Sequence, residues 1–297
     1  MIARRFALLV AVSLLAPSLA TAQVVLQTKV ENGIHYQLKE NVTTDQSLAL
    51  GGQSFDTHGE VTVVSEVRHG QRDNDGKLPV STTFKKIVAK MALPDDITLE
   101  FDSANPDKKA DNDSLEIVLD RFRALVDLKI THTVDSMGKV DDIEGVTQES
   151  GLDKTELQSN YQQNLDRIPA TPLNVGDKWE KTEEQNLGGG QVFKFQRIYE
   201  YQGEKTVDGR KFDEITAKDE SVEFFIREGG QIPGKVTKSD LSVDSSQHTL
   251  LFDREKGRVV DMKSRIRVKG NVALEIAGND LEGTLDLTMD SRRQDLP

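Results

Sequence analysis

The chain has 297 residues, with 38 basic and 50 acidic side chains, a net charge of −12 at pH 7 and no cysteine. An acidic surface repels nucleic acid and anionic lipid headgroups, so neither is expected as a general partner, although a local group of basic residues can still act. The absence of cysteine excludes disulfides, thiol chemistry and cysteine metal ligands, so we expect packing and backbone hydrogen bonds to stabilise the fold.

The first 22 residues have the pattern of a secretory signal peptide. Arg4 and Arg5 form a basic start, an apolar run follows over residues 6–15, and small residues precede a predicted cleavage site between Ala22 and Gln23. This run is shorter than the roughly 20 residues of a membrane-spanning helix, and no later segment is comparably apolar. We therefore expect a bacterial protein in the periplasm or outside the cell, with no transmembrane segment and no lipid-modified cysteine.

Alternating apolar and polar residues predict β-strands through most of the remaining chain. The pattern is clearest after residue 259, where even positions up to 268 are mostly apolar and odd positions are charged. Gly270-Asn271 and Gly278-Asn279-Asp280 are predicted turns, so three segments would form an antiparallel meander. Asp208-Gly209 predicts a tight hairpin between residues 191–201 and 212–226. Strand patterns also occur at residues 24–30, 34–39, 55–67 and 79–93.

Two segments have helical periodicity instead. Apolar residues recur at helical spacing over residues 114–126, with Asp113 or Ser114 as the predicted N-cap. A second stripe runs over residues 150–168 and ends before Pro169. The sequence therefore predicts a mainly β fold (α+β), in which two amphipathic helices pack on long, twisted antiparallel strands.

A candidate domain boundary lies between residues 169 and 177, where two prolines and a Gly-Asp turn separate the second helix from new strands. This boundary predicts two lobes. Residues 23–168 would form an N-terminal β-rich lobe with the helices, and residues 169–297 a C-terminal antiparallel β lobe.

Two short motifs lie in the second half of the chain. Residues 172–179 read PLNVGDKW, and residues 251–260 read LFDREKGRVV. Together they resemble an uncharacterised family of exported bacterial proteins, a domain of unknown function, whose members carry a P-x-x-V-G-D-x-W turn before a strand and a D-x-x-x-G-R hairpin. The resemblance covers the first half only by layout. It implies no activity, cofactor or catalytic residue, because none is established for that family.

The first candidate ligand contact is Trp179, the only tryptophan. It is either a stacking platform for a sugar or lipid or, as we favour, a core anchor like Phe193. A basic strip at Lys263, Arg265, Arg267 and Lys269 would either bind an anionic ligand or pair with acidic residues of neighbouring strands, which is the favoured interpretation. The full set of candidate ligand-binding residues is Trp179, Phe122, Tyr161, Lys263, Arg265 and Arg267.

Motifs for catalysis, metal binding or cofactors are missing from the sequence. The five histidines are dispersed, without the spacing of a zinc site. The acidic stretch over residues 102–116 lacks the glycine of a calcium loop, which favours a solvated loop. We predict no catalytic residue, metal or cofactor, and we expect Arg254, Lys256 and Arg258 to form the solvated rim of a hairpin.

Three functions compete on this basis. The favoured one is non-enzymatic binding of an apolar or amphiphilic ligand, such as a lipid, in the cell envelope. The second is a protein-interaction or structural module that contacts another envelope component, and the third is a hydrolase with a dispersed site. The fate of five apolar positions would discriminate between the first two, because a ligand needs apolar surface that the core leaves free: Phe122, Tyr161, Val268, Leu274 and Leu287.

Overall fold

The computed structural model describes residues 23–110, 113–188, 190–227 and 234–296. The predicted signal peptide, residues 1–22, lies outside the described residues, and Gln23 after the predicted cleavage site is exposed. None of the helices in the described ranges has both the length and the apolar character needed to cross a membrane. The elements are β1 His35–Leu50, β2 Gln53–His69, β3 Leu78–Leu93, β4 Ile97–Asp102, α1 Asp113–Leu125, β5 Lys129–Val134, β6 Val140–Glu144, α2 Lys154–Asp166, β7 Lys178–Gly188, β8 Gln191–Val207, β9 Arg210–Ile226, β10 Lys235–Asp253, β11 Arg258–Ile276 and β12 Asn279–Leu296.

The strands form one antiparallel sheet, which confirms the mainly β class. Their order is β6-β5-β3-β2-β1-β12-β11-β10-β9-β8-β7, and β4 pairs separately with β3. The first and last strands, β1 and β12, pair from Gln37 opposite Leu296 to Leu50 opposite Gly283. This pairing carries the sheet across the two segments that the sequence suggested as lobes. The division into two lobes stays a prediction.

The strand β11 corrects one predicted turn. Gly270 lies within the strand, opposite Leu241 of β10, and a Cβ at this position would lie 2.1 Å from the carbonyl oxygen of Asp240. The glycine is therefore needed for close approach of two strands and not for a turn. The three predicted segments are two long strands, joined at Ala277 and Gly278, whose φ angles are 51° and 79°. The hairpin predicted at Asp208-Gly209 is confirmed.

The strand predicted at residues 24–30 is also wrong. This segment makes one isolated bridge, between Val24 and Leu173, and otherwise crosses the inner side of the sheet. Its alternation reflects packing, because Leu26 is buried in the core beside Phe252. Further along, the Lys29 amide donates to the carbonyl of Gly257 at 2.8 Å, which fixes the segment to the β10–β11 hairpin.

Both helices pack on the same face of β3. A bulge at Lys85 shifts the alternation, so Phe84 and Ile87 face the same side. Phe84 accordingly contacts the core beneath α2 and the core beneath α1. The helix α2 is shorter than its predicted range, residues 150–168, because Asp153 is the N-cap and its carboxylate accepts from the Glu156 amide at 2.9 Å.

The helix α2 also joins the two edge strands of the sheet, β6 and β7. On the β6 side, the Gln158 amide donates to the Val140 carbonyl at 2.7 Å, and Gln162 accepts from the Val140 amide at 2.8 Å. On the β7 side, Gln163 accepts from the Glu184 amide at 3.2 Å. Edge strands carry unpaired backbone groups. The glutamines of α2 form hydrogen bonds with some of these unpaired backbone groups. The helix therefore occupies the position that a further strand between β6 and β7 would take to close the sheet.

Candidate functional site

A cavity of about 310 Å³ lies between α2 and the inner face of β1, β2, β3 and β5. Residues 28–34 and the β10–β11 hairpin close it at one end. Its volume is at the lower end of the roughly 300–1,000 Å³ typical of small-molecule pockets. Half of the lining side chains are apolar or aromatic: Val30, Ile34, Tyr36, Leu38, Val67, Val80, Phe84, Val134, Leu157, Tyr161, Leu165, Ile168, Phe252 and Val259.

Periodicity brings these residues together. Tyr36 and Leu38 occupy alternate positions of β1, which point to one face of a strand. Leu157, Tyr161 and Leu165 are four residues apart on α2 and therefore share the helix face that looks down on the sheet. The cavity is thus the space that these two apolar faces do not fill.

Two arginines form the polar end of the cavity. The Arg258 guanidinium carbon lies 3.9 Å from the centre of the Tyr36 ring, and Nη2 donates to Asp295 at 2.8 Å. The Nε atom of Arg258 is buried and has no hydrogen-bond partner in the described structure. Arg293 donates to the amide oxygen of Asn164 at 3.0 Å. Among the described residues, no carboxylate forms an ion pair with Arg293.

The two arginines act on the same tyrosine hydroxyl. Burial raises the pKa of Tyr36, whereas the positive charges of Arg293 and Arg258 act in the opposite direction. Burial also raises the pKa of Tyr161, and Arg293 opposes that shift as well. Arg293 is therefore close to both tyrosines, one on β1 and one on α2. Its charge lies within the cavity and not on the outer surface.

His132 is a second polar group in the cavity wall. Only 5% of the residue is exposed, and its ring stacks on that of Tyr161 with 4.1 Å between the centres. Its Nδ1 atom is buried without a hydrogen-bond partner in the described part of the chain. Burial lowers the pKa of His132 to about 4, so the ring is neutral at pH 7.

The charge of the cavity is opposite in sign to that of the chain. Five basic side chains and two acidic ones line it, although the whole chain carries a net charge of −12. The acidic residues, Glu31 and Glu40, are both exposed. Lys256 pairs with Asp295 at 3.3 Å, and Arg167 pairs with Glu183 at 3.1 Å. Lys29 and Arg293 are the two half-buried cations of the lining that have no carboxylate partner among the described residues, and Lys29 donates to the carbonyl of Glu255 at 3.3 Å.

The structure places one of the six sequence-predicted ligand residues in this cavity, namely Tyr161. Phe122 belongs to α1 and stacks on Phe101 of β4, with 5.4 Å between the ring centres. Trp179 is half-buried, stacks on Tyr199 at 5.5 Å, and donates from Nε1 to the carbonyl of Arg167 at 2.8 Å. These contacts give Trp179 and Phe122 roles in packing, and their binding roles stay predictions.

The basic strip lies on the outer face of β11. Arg267 pairs with Asp286 of β12 at 2.7 Å, and Arg265 lies 3.7 Å from Asp290 of the same strand. Lys263 and Arg265 line a separate surface depression of about 430 Å³ together with Arg292. Cross-strand pairing therefore occupies much of the strip, and its role in ligand binding stays a prediction.

Arg258 corrects the expectation of a solvated hairpin rim. Its side chain is 18% exposed and packs on Tyr36. Arg254 is 44% exposed, as expected for the rim, and it donates to the buried Asp213 carboxylate. Arg293 and His132 are not among the residues that the sequence predicts for the site. Strand alternation contains the signal for both, because each occupies an inward position of its strand.

A chain of buried polar residues separates two apolar parts of the core between β7 and β11. Arg167 and Arg197 both pair with Glu183, and Arg197 also donates to Asp219 at 2.6 Å. Burial raises the pKa of Glu183, but the charges of Arg167 and Arg197 outweigh this effect and leave it below its usual value. Buried charges that are paired and hydrogen-bonded in this way hold the strands in one arrangement.

This chain continues into an arrangement that resembles a hydrolytic triad. His248 Nε2 lies 2.8 Å from Asp219, and its Nδ1 lies 2.8 Å from the Ser264 hydroxyl. His248 and Asp219 are fully buried, and the Ser264 side chain is on the inner face of β11. Ser264 is half-buried and is itself among the residues that line the surface depression of about 430 Å³, beside Lys263 and Arg265. The side chains of His248 and Asp219 are closed off from solvent, so we assign these two residues to the core.

Metal binding has no candidate in the described ranges, where no group of three His, Cys, Asp or Glu side chains has a suitable arrangement.

Comparison with known proteins gives only distant structural similarity. No family model and no curated protein matches the chain. A structure of lipovitellin, studied for its lipid–protein interactions, matches with 10% identity and a TM-score of 0.48, over 91% of this chain and 26% of that one. The chain thus spans about a quarter of lipovitellin.

Two further solved structures match over most of the chain. A DUF1329 family protein from Desulfovibrio piger has 10% identity and a TM-score of 0.15, over 86% of this chain and 84% of that one. An outer membrane channel from Pseudomonas putida F1 has 8% identity and a TM-score of 0.22, over 90% and 97% respectively. These TM-scores are low, so the similarities support no functional inference.

Proposed function

We propose that this chain is an exported bacterial envelope protein that binds an apolar or amphiphilic ligand in the cavity beneath α2, without catalysing a reaction on it. The cavity of about 310 Å³ is the observation that carries the proposal. Ligand pockets combine apolar walls with a few convergent polar groups. Here Tyr161 and Leu38 belong to the apolar walls, and Arg258, Arg293 and His132 are the polar groups.

One of the five discriminating apolar positions, Tyr161, supports ligand binding, whereas core packing takes up the other four. Val268, Leu274 and Leu287 are buried in the core, and Phe122 packs from α1 against the core beneath that helix. Tyr161 differs, because its ring forms a wall of the cavity. The cavity wall at Tyr161 is therefore apolar surface that core packing leaves free. Because this wall faces the inside of the fold, it suits a small ligand and not the surface of a protein partner.

The helix α2 is the natural route of access. None of its residues is buried, and its glutamines hold it to the edge strands through a few hydrogen bonds. Removing such a helix exposes the cavity without breaking strand pairing. Elements that move during binding are drawn from the least stable parts of a fold. We propose that ligand uptake and release displace α2.

Location and family complete the proposal. Residues 1–22 have the pattern of a signal peptide, which supports export. The P-x-x-V-G-D-x-W and D-x-x-x-G-R motifs support membership of an uncharacterised family of exported bacterial proteins. We propose the periplasm or the cell exterior as the compartment and a lipid or another envelope component as the partner.

The test is native mass spectrometry of the protein purified from its own envelope, followed by titration with a fluorescent fatty acid. We expect a co-purifying lipid mass and saturable uptake of the probe. A Leu38→Trp variant fills the cavity and should abolish uptake, whereas Lys39→Trp on the opposite face of β1 should not. A bare chain that takes up no probe contradicts the proposal, and so does equal uptake by both variants.

A further inference from the structure

Resting on the proposed function, we infer that the cavity selects amphiphiles with one acyl chain and an anionic headgroup, a carboxylate or a phosphate, and that Arg293 and Arg258 contact that headgroup. The inference starts from an imbalance of charge. Basic side chains outnumber acidic ones by five to two around a cavity in a chain whose net charge is −12. A ligand of the opposite sign would restore neutrality there.

Arg293 is the centre of this imbalance. Its one hydrogen bond in the described structure goes to Asn164 at 3.0 Å, and Asn164 also accepts from Arg167 at 3.0 Å. A guanidinium has five N–H donors in a planar fork, so most of those of Arg293 have no acceptor. Arg293 is half-buried, so its side chain is partly removed from bulk water, which is costly for a cation without an anionic partner. A carboxylate or phosphate supplies both the charge and a matching pair of acceptors.

Arg258 offers a second donor in the same cavity. Its Nη2 donates to Asp295 and its Nε is closed off from solvent, so Nη1 is the donor group left to a headgroup. Arg258 stacks on Tyr36 and Arg293 lines the same cavity, so a headgroup beside the Tyr36 hydroxyl is within the field of both charges.

His132 marks the boundary between headgroup and chain. The Nδ1 atom of His132 has no hydrogen-bond partner in the described structure, and only 5% of the residue is exposed. Because this atom is closed off from solvent, the neutral ring borders the cavity without offering a ligand a hydrogen bond from Nδ1. Beyond His132, Val80, Val134 and Leu157 offer only apolar contacts, which suit the acyl chain.

The exposed acidic residues do not compensate Arg293. Glu31 and Glu40 line the cavity but form no ion pair with it within 4.0 Å in the described ranges. Glu40 is opposite Arg293 in the β1–β12 register, so it lies at the mouth beside the arginine. The volume of about 310 Å³, at the low end for ligand pockets, favours one chain over several.

The test compares probes that share a chain and differ in headgroup. Palmitate and palmitoyl-lysophosphatidate carry the anion, whereas hexadecanol and hexadecylamine do not. We expect both anions to bind about tenfold or more tightly than hexadecanol at pH 7, and hexadecylamine to bind weakest. Tighter binding of one anion identifies a fatty acid or a phospholipid product as the source.

Arg293→Met removes the charge and retains the length of the side chain. We expect this variant to lose about tenfold in palmitate affinity and to keep its hexadecanol affinity, which also shows that it is folded. Arg293→Lys should retain part of the preference. Arg292→Met is the matched control, because Arg292 points to the outer face of β12 and pairs with Asp261.

The outcomes separate the two proposals. If hexadecanol binds as tightly as palmitate, or if Arg293→Met leaves the preference unchanged, the headgroup inference is overturned while binding of an amphiphile stands. If none of the four probes binds to wild-type protein that has been stripped of lipid and remains folded, the proposed function itself fails.

Discussion

Arg258 lies over the face of Tyr36, with 3.9 Å between its guanidinium carbon and the ring centre. This contact joins the β10–β11 hairpin to β1, two parts of the chain that are more than 200 positions apart. Cation–π contacts contribute about 0.5–1 kcal/mol at exposed sites and about 2 kcal/mol when desolvated. Because Asp295 also holds Arg258, the pair fixes the closed end of the cavity.

Substitution of Tyr36 tests this relationship. Tyr36→Leu keeps an apolar side chain but removes the ring face, so we expect the free energy of unfolding to fall by about 1–2 kcal/mol in urea titration. Tyr36→Phe keeps the ring and should change stability by less than about 0.5 kcal/mol. Equal losses in both variants would mean that the hydroxyl, and not the ring face, matters.

Trp179 gives a second prediction about packing. Its indole stacks on Tyr199 and donates to the Arg167 carbonyl, so Trp179→Ala removes apolar contacts and leaves a carbonyl without its donor. We expect a loss of about 2–4 kcal/mol, measured by urea unfolding. Trp179→Phe should retain the stack and lose about 1 kcal/mol. Neither variant should alter ligand affinity.

Fluorescence checks the same residue independently. Trp179 is the only tryptophan, so the emission maximum of the protein reports its surroundings alone. We expect a maximum shifted to shorter wavelength than that of exposed tryptophan. A solvent-like maximum together with unchanged melting of Trp179→Ala would support the alternative role as a binding platform.

The sequence predicts local structure better than it predicts the site. Alternation identifies the strands because burial of one face is a local pattern. Gly270 was assigned to a turn because a glycine in sequence carries no sign of the strand that approaches it, and here the reason is the Asp240 carbonyl of β10. The same limit applies to residues 24–30, whose alternation reflects core packing without strand pairing.

The cavity was beyond prediction because its walls come from distant segments. Tyr36, Val80, Tyr161 and Arg293 meet only through the β1–β12 pairing and the placement of α2 across the sheet edges. The alternation along β12 places Arg293 on the same inward face as Met289 and Ser291. A charged residue at a core position is the one signal that pointed to the site.

Acid should destabilise the protein partly through His132. Its folded pKa is about 4, below the value of about 6.5 in an unfolded chain. Between these values the unfolded chain binds more protons, so the free energy of unfolding falls as the pH drops from about 6.5 to 4. The contribution at full loss is up to about 3 kcal/mol.

The measurement is the difference in unfolding free energy between wild type and His132→Leu at pH 7.5 and at pH 5. We expect the variant to lose less stability than wild type over this interval, because it has no buried imidazole to protonate. His248, whose pKa burial also lowers, remains in both proteins and cancels in the comparison, whereas the charge of His69 acts on His132 itself. Parallel pH profiles would show that His132 is not the responsible group.

Export predicts a defined mature mass. Cleavage between Ala22 and Gln23 removes two arginines and leaves a chain that begins with Gln23. Intact-mass spectrometry of protein from the envelope fraction should give the mass of residues 23–297, with or without loss of ammonia from the N-terminal glutamine. Recovery of the full chain from the cytosol contradicts this prediction.

Release of ligand should depend on the hydrogen bonds between α2 and the edge of β6. Gln162 accepts from the Val140 amide and donates to the Gly138 carbonyl at 3.1 Å, so Gln162→Ala removes both contacts. At about 0.5–1.5 kcal/mol for each hydrogen bond, displacement of the helix should become easier by about 1–3 kcal/mol. We expect release of a bound fluorescent fatty acid to accelerate by roughly 5- to 150-fold.

The matched control is Lys154→Ala, an exposed position at the start of α2 that has no ion pair in the described structure. It should leave the release rate unchanged, although alanine alters helix propensity slightly. Hydrogen exchange gives a second readout, because the Val140 amide should lose protection in Gln162→Ala and not in the control. If the amide exchanges faster but release does not, the ligand leaves by a route that bypasses α2, since the helix would then loosen without opening the cavity.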